Sequence, residues 1–215
     1  MATTGAKTLS SGPQSQAPLV IVLSGPSGVG KDTVLRAALA RDDWLAAVVT
    51  AKTRPARPGE ANGVHHLFLS DAEFDDLLAR DGFLEHADVY GHRSGVPRDQ
   101  VRDLIAAGRT VIIRTDIQGA RTLRRKVPGA VLIFLTAPDL PTLETRLRGR
   151  ASDDDTTTEA DLQRRLAAAS QEMAAADEFD HVLINHDGQE TATVDALLAI
   201  LARERQRPNR PNPRV

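Results

Sequence analysis

Cysteine is absent from the 215 residues, which excludes disulfides, thiolate metal sites and cysteine nucleophiles. No apolar run approaches the roughly 18 residues that a membrane-spanning helix needs. The residues after Met1 lack the apolar core of a secretory signal, so a cytoplasmic location is the expectation. Positive charge is not in excess either: the formal net charge is −2, which argues against a general nucleic-acid binder. With 41% hydrophobic and 26% charged residues, what remains is an ordinary globular composition, suited to one domain or to one core with inserted lobes. The two ends read differently. Residues 1–17 are rich in Ser, Thr, Gly and Gln with no apolar period, and 203–215 (RERQRPNRPNPRV) carries five arginines and three prolines, so both are expected as disordered tails, the second one basic.

The stretch that organises the chain is 19–33, LVIVLSGPSGVGKDT. Residues 19–23 form a short Val- and Ile-rich run, as in a strand buried on both faces. The spacing G-x-x-x-x-G-K follows from Gly25 to Lys31, and a helical pattern begins at once with Val34, Leu35, Ala38 and Leu39 on one face. Strand, glycine loop and helix in this order is the context of a phosphate-binding loop. Gly25, Gly28 and Gly30 allow the backbone positive φ and close approach, with Pro26, Ser27 and Val29 between them. The successive N–H groups then form an anion nest at a helix N-terminus, to which Lys31 adds a charge for the β- and γ-phosphates of ATP. The next residue would ordinarily be Ser or Thr, whose hydroxyl binds Mg²⁺. Here it is Asp32, a carboxylate that is itself a Mg²⁺ donor, while Thr33 lies one residue late.

Beyond this unit strands and helices alternate, which predicts an α/β fold with a mostly parallel sheet. Strands are expected at 46–50, 83–90, 111–113, 130–137 and 181–185. Helices are expected at 71–80, 98–107, 118–126, 140–150, 159–176 and 193–203. Residues 52–68, interrupted by Pro55 and Pro58, read as loop or irregular strand carrying Arg54 and Arg57, two guanidiniums suited to a phosphate. Residues 91–97 (GHRSGVP) read as a turn. Arg114, Thr115 and Asp116 end the buried strand at 111–113, and the carboxyl end of a parallel strand is where open α/β sheets place their sites. Residues 151–158 (ASDDDTTT) have no apolar anchor and are expected to be mobile.

Taken together, SGPSGVGK, TRPARPGE with NG following, FLEHA, the GVP turn, TDIQGA and RLRGR resemble the guanylate kinase family from about residue 18 to 201. The resemblance implies a three-layer phosphate-loop kinase fold with a core at 18–50 and 109–202, a GMP-binding lobe at 51–108 and a lid at about 150–160. It implies transfer of the γ-phosphoryl of ATP to GMP or dGMP, with Mg²⁺, on small-molecule substrates and with no obligatory protein partner. By the same resemblance Arg54 and Arg57 hold the GMP phosphate and Thr50 lies beside the base. Glu85 accepts from the guanine N1–H and amino group, and Asp116 supports that end. Arg146, Arg150 and Arg165 surround the transferred phosphoryl, and Asn185 borders the adenine. His66 and Ser94 stand where the family has tyrosines that bind the GMP phosphate, and His92, Arg93 and His66 are the nearby groups able to replace them electrostatically. Two other readings fit parts of the chain. A ribose 1,5-bisphosphate phosphokinase shares Asp32–Thr33 after the lysine. A catalytically silent module that binds phosphoproteins is expected to lack Lys31.

Overall fold

The computed structural model describes residues 18–89, 91–152 and 158–215. The 1–17 tail and the middle of the expected lid lie outside the described residues. Five strands make one wholly parallel sheet in the order β2-β7-β1-β8-β9: β1 (Leu19–Ser24), β2 (Leu45–Ala47), β7 (Thr110–Arg114), β8 (Val131–Thr136) and β9 (His181–Ile184). β1 is central, and the side-chain period of two sorts it onto two faces. Leu19, Ile21 and Leu23 pack with α1 (Lys31–Leu39), α5 (Leu140–Ser152), α6 (Glu159–Met173) and α7 (Glu190–Gln206). Val20 and Val22 pack with α3 (Arg98–Ala106) and α4 (Ile117–Lys126). All six residues of β1 are buried, which is why the strand reads as a continuous apolar run rather than an alternating one.

A second sheet, in the order β4-β3-β6-β5, is built from β3 (Ala51–Lys52), β4 (Leu67–Phe68), β5 (Phe83–Val89) and β6 (His92–Pro97). It is mixed: β3 and β4 are parallel, whereas β6 runs antiparallel to both β3 and β5. Its small core holds Ala51, Phe74 from α2 (Asp71–Ala79) and Phe83, with the two phenyl rings stacked at 4.4 Å. The α2 start is a full capping box, in which Ser70 and Glu73 satisfy each other's backbone amides.

Three sequence expectations change here. Residues 91–97 are not simply a turn: His92–Pro97 is strand β6, because β3 and β5 pair with it on both sides and that pairing outweighs the local breakers. The strand expected at 46–50 closes at Ala47, since Val48 and Val49 bond to Ile112 O and the Gln100 side chain on the way into the second sheet. The stretch from 203 does not begin as a tail. α7 continues to Gln206, and beyond it Arg210 donates to Pro18 O at 3.0 Å while Val215 packs on the cluster under α3 and α4.

Candidate active site

The phosphate loop leaves the carboxyl end of β1 and enters α1. Gly25, Gly28 and Gly30 all take positive φ, at 143°, 82° and 98°. At Gly25 the close approach of Leu135 O would also collide with any Cβ, so both conformation and space demand glycine there. Lys31 Nζ donates to Gly25 O at 2.6 Å and to Pro26 O at 2.9 Å, which curls the side chain over its own loop. Glu172 of α6 reaches the same place, accepting from the Ser27 amide and facing Lys31, and burial raises its pKa. A carboxylate thus sits where the backbone N–H groups call for an anion. From behind, Asn185 clamps the loop: Nδ2 donates to Val29 O at 2.8 Å, and Oδ1 accepts from Thr193 Oγ1 at 3.0 Å. Arg146 completes this clamp, donating to Asn185 O at 2.8 Å and pairing with Asp187.

In front of the loop lies a cleft of about 390 Å³ between the two sheets. Lys31, Asp32, Glu85 and Asp116 line it together with Thr50, Lys52, Ser94 and Arg114. Glu85 projects from β5 and is only 7% exposed. Burial, and then the charge of Asp116, push its carboxyl up to about 7. Asp116 caps α4 by accepting from Gly119 N at 2.8 Å. Gly119 in turn lies against both Thr115 and Glu85: a Cβ there would come within 2.0 Å of Thr115 Oγ1 and 3.1 Å of the Glu85 carboxyl carbon.

The arginine end is organised by a residue that sequence reasoning did not single out. Glu60 accepts two bonds from Arg54, at 2.6 and 2.7 Å, and a third from the Arg57 amide at 2.9 Å. These bonds hold its carboxyl at about 2. Arg54 also stacks on the Phe68 ring, 5.5 Å from its centroid, so the guanidinium is fixed before any ligand arrives. The Arg57 side chain is exposed and forms no hydrogen bond or ion pair among the described residues. His66 is buried, with Nδ1 3.0 Å from Thr50 Oγ1. Burial first, then Lys52 and Arg54, lower its pKa to about 4, so the ring is neutral at pH 7.

A buried carboxylate in one cleft with the lysine of an anion nest, beside a loop whose arginine is fixed in advance, suits phosphorylated ligands. The comparisons with known proteins agree. The guanylate kinase family matches residues 17–202. The chain belongs to the guanylate kinase family. It is 47% identical to the guanylate kinase of Rubrobacter xylanophilus over 168 residues, which are 78% of this chain and 86% of that protein. With the guanylate kinase of Thermobifida fusca it shares 45% identity over 183 residues, 84% and 89% of the two chains. The crystal structure of guanylate kinase from Anaplasma phagocytophilum superposes with a TM-score of 0.69 at 27% identity, covering 91% of this chain and 90% of that one. The enzyme phosphorylates GMP at the expense of ATP. The ribose bisphosphate and phosphoprotein readings are not favoured.

As a guanylate kinase the molecule gathers Lys31, Asp32, Thr50, Glu85, Ser94 and Asp116 around one cleft. His66 opens with Glu60, Asp32 and Arg114 onto an adjoining cleft of about 540 Å³. Asn185, Arg146 and Thr33 lie on the far side of the phosphate loop, around a third recess. Arg165 lies on α6 and makes no hydrogen bond or ion pair among the described residues. Arg150 is carried by α5, near the start of the expected lid. Arg93, named above as a replacement for a missing tyrosine, is engaged elsewhere: it pairs with Asp71 and Asp75 of α2 and stacks on Phe74. Lys52, Glu60 and Glu172 escape sequence reasoning. Lys52 and Glu172 carry no mark in their local sequence, because the site depends on strand register and on a helix from the other end of the chain, whereas Glu60 closes the TRPARPGE stretch and its role shows only in the folded loop. Arg114 has a signal, its place at the carboxyl end of β7, and it pairs with Asp32.

Proposed function

We propose that guanine is read at the Glu85–Asp116 end of the cleft and that the GMP phosphate lies between Arg54 and the phosphate loop, facing the ATP γ-phosphate. The single observation behind this reading is the buried Glu85 carboxyl in one cleft with Lys31. Guanine presents N1–H and N2–H donors side by side, which one carboxylate accepts together; adenine offers no such pair. Arg54, fixed by Glu60, and Arg57 supply charge to the phosphate, with Thr50 and Ser94 beside it. The loop amides and Lys31 hold the ATP β- and γ-phosphates, and Arg150 and Arg165 contribute charge around the transferred group, whereas Arg146, bound to Asn185 O and Asp187 on the far side of the loop, is left to the nucleoside side. Glu172 leaves the nest when phosphate enters. The adenine lies over the Arg146–Asn185 side of the loop.

Asp32 suits Mg²⁺ in one respect: it presents carboxylate oxygens beside the nest. No group of three or more potential metal ligands occurs among the described residues, in keeping with an ion that is held largely by nucleotide phosphates. Asp32 is therefore the residue assigned to the metal, with Arg114 as its partner until the ion binds. When bound, Mg²⁺ would supply charge neutralisation for the transferred phosphoryl, with Asp32 the residue that would hold it. The second sheet with α2 acts as a lobe that closes on GMP, and 150–160 acts as the lid that excludes water. A cytoplasmic location fits substrates of this kind, and no helix among the described residues is long and apolar enough to cross a membrane.

The test is acceptor affinity in wild type and Glu85→Gln. The amide keeps one acceptor but turns a donor toward a guanine donor, so GMP affinity should fall roughly ten- to a hundredfold, with ATP affinity unchanged. An unchanged GMP affinity in the variant would remove Glu85 from guanine recognition.

A further inference from the structure

Lys52 carries a charge that the roles assigned above leave without a task. It sits on β3, whose other residue, Ala51, points the opposite way into the small core with Phe74 and Phe83. Lys52 therefore faces the cleft, where it forms part of the wall with Glu85, Ser94 and Asp116. The register sets its neighbours: Phe68 is its partner on β4 and Ser94 its partner on β6, and Ala87 of β5 pairs with Ser94. Across this face the row runs Phe68, Lys52, Ser94, Ala87. The first of these supports the Arg54 guanidinium, and the last two are short side chains that leave the lysine room to extend. Among the described residues Lys52 forms no ion pair and no side-chain hydrogen bond, yet it feels Arg54, Arg57 and Glu60. It is partly desolvated, and burial is the main cause of its lowered pKa, with the two arginines adding to it.

Three cations in one corner with a single carboxylate, Glu60, between them are an arrangement that repels itself until a dianion arrives. Glu60 is already committed to Arg54 by two bonds. Neutral His66 adds no charge to the corner at pH 7. We infer that Lys52 is a binding residue for the acceptor's phosphate, reaching it from the sheet face while Arg54 and Arg57 hold it from the loop. This rests on the placement of GMP proposed above. It adds a point charge with three donors on a flexible stem, complementary to the fixed planar fork of Arg54. It also places a cation between the acceptor phosphate and the base-reading carboxylates, so the same row of the sheet measures the distance from phosphate to base.

The experiment compares binding of GMP, guanosine and ATP to wild type, Lys52→Met and Lys52→Arg, with thermal melting as the control for folding. Guanosine has the base without the phosphate. Lys52→Met should weaken GMP roughly tenfold or more, as for loss of a charge-assisted bond, and leave guanosine and ATP within about twofold. Lys52→Arg should restore most of the GMP affinity. Equal losses for GMP and guanosine would show that Lys52 only shapes the cleft, and a loss confined to ATP would place it on the donor side; either overturns the inference, as does unchanged GMP binding. If wild type binds guanosine and GMP equally, the placement of GMP itself fails, an outcome distinct from these.

Discussion

On the placement of ATP and GMP proposed above, the donor and acceptor parts of the cleft are made of different material. The donor end is largely backbone: amides of 25–31 arranged by glycine φ values, with a clamp of Asn185, Thr193 and Arg146 behind them. The acceptor end is side chain throughout, drawn from β3, β5, β6, the loop after β3 and the start of α4. Backbone amides do not titrate, and their geometry survives most substitutions that spare the glycines. The acceptor end contains a carboxyl near 7, a histidine near 4 and a lysine whose pKa is lowered. Glu172, whose carboxyl accepts from the Ser27 amide and whose pKa burial raises, is the titratable group facing the nest, so donor binding is expected to respond to pH through that one carboxyl and acceptor binding through several groups.

The largest effect should come from the one side chain on which the donor end depends. Lys31→Ala should lower turnover by about a hundredfold or more while the melting temperature holds, since the bonds from Nζ to Gly25 O and Pro26 O stay within its own loop. Steady-state kinetics alongside a melting curve checks it, and wild-type turnover in a folded variant would leave the donor end to backbone alone.

A smaller effect should separate the two ends by pH. If Glu85 reads guanine as proposed, GMP binding needs its carboxyl ionised, so between pH 8 and pH 6 the affinity should fall by about tenfold as it protonates through about 7. The ratio of wild-type to Glu85→Gln affinity cancels the ionisation of GMP itself, and ATP affinity should be the same in the two proteins at each pH. The stability consequence has the opposite sense from that of a salt-bridged acid. Glu85 is raised from 4.5 to about 7 in the folded chain, so its contribution is full below 4.5 and is lost as pH rises through 7. That loss is at most roughly 3 kcal/mol. Glu85→Gln should therefore melt above wild type at pH 8, and the gain should vanish near pH 5. A variant less stable than wild type at pH 8 would mean that burial is not what raises the pKa.

The smallest effect concerns the seam between the ends. Asp32→Asn removes the charge that pairs with Arg114 and weakens a donor for Mg²⁺. The Mg²⁺ concentration for half-maximal activity should rise a fewfold, with little change at saturating metal. An identical Mg²⁺ titration would assign Asp32 to Arg114 alone.

The same contrast explains what the sequence discloses. The phosphate loop is contiguous and its spacing is its mechanism, so the order of residues from Gly25 to Lys31 is enough to place it. The core strands are legible because β1 and β8 are buried on both faces and read as unbroken apolar runs. The acceptor lobe is not legible in the same way. β3 and β4 have two residues each, too short for any period, and β6 is a strand only because of its neighbours. Glu85 and Asp116 are identifiable through the family resemblance, whereas Lys52 needs the register with Ser94 and Glu60 needs the fold of the loop. Arg93 shows the converse: in sequence it borders the site, but its side chain is spent on α2.

The bond from Asn185 to Val29 spans 156 residues. On the ribosome the nest is among the first parts to be made and among the last to be secured, because its clamp arrives only with β9 and the start of α7. A chain halted before that point has the glycines and the lysine but lacks the Asn185 bond to Val29 O. Competence to grip ATP is therefore postponed until nearly the whole domain has emerged, and the ability to bind nucleotide certifies that the parallel sheet has been closed.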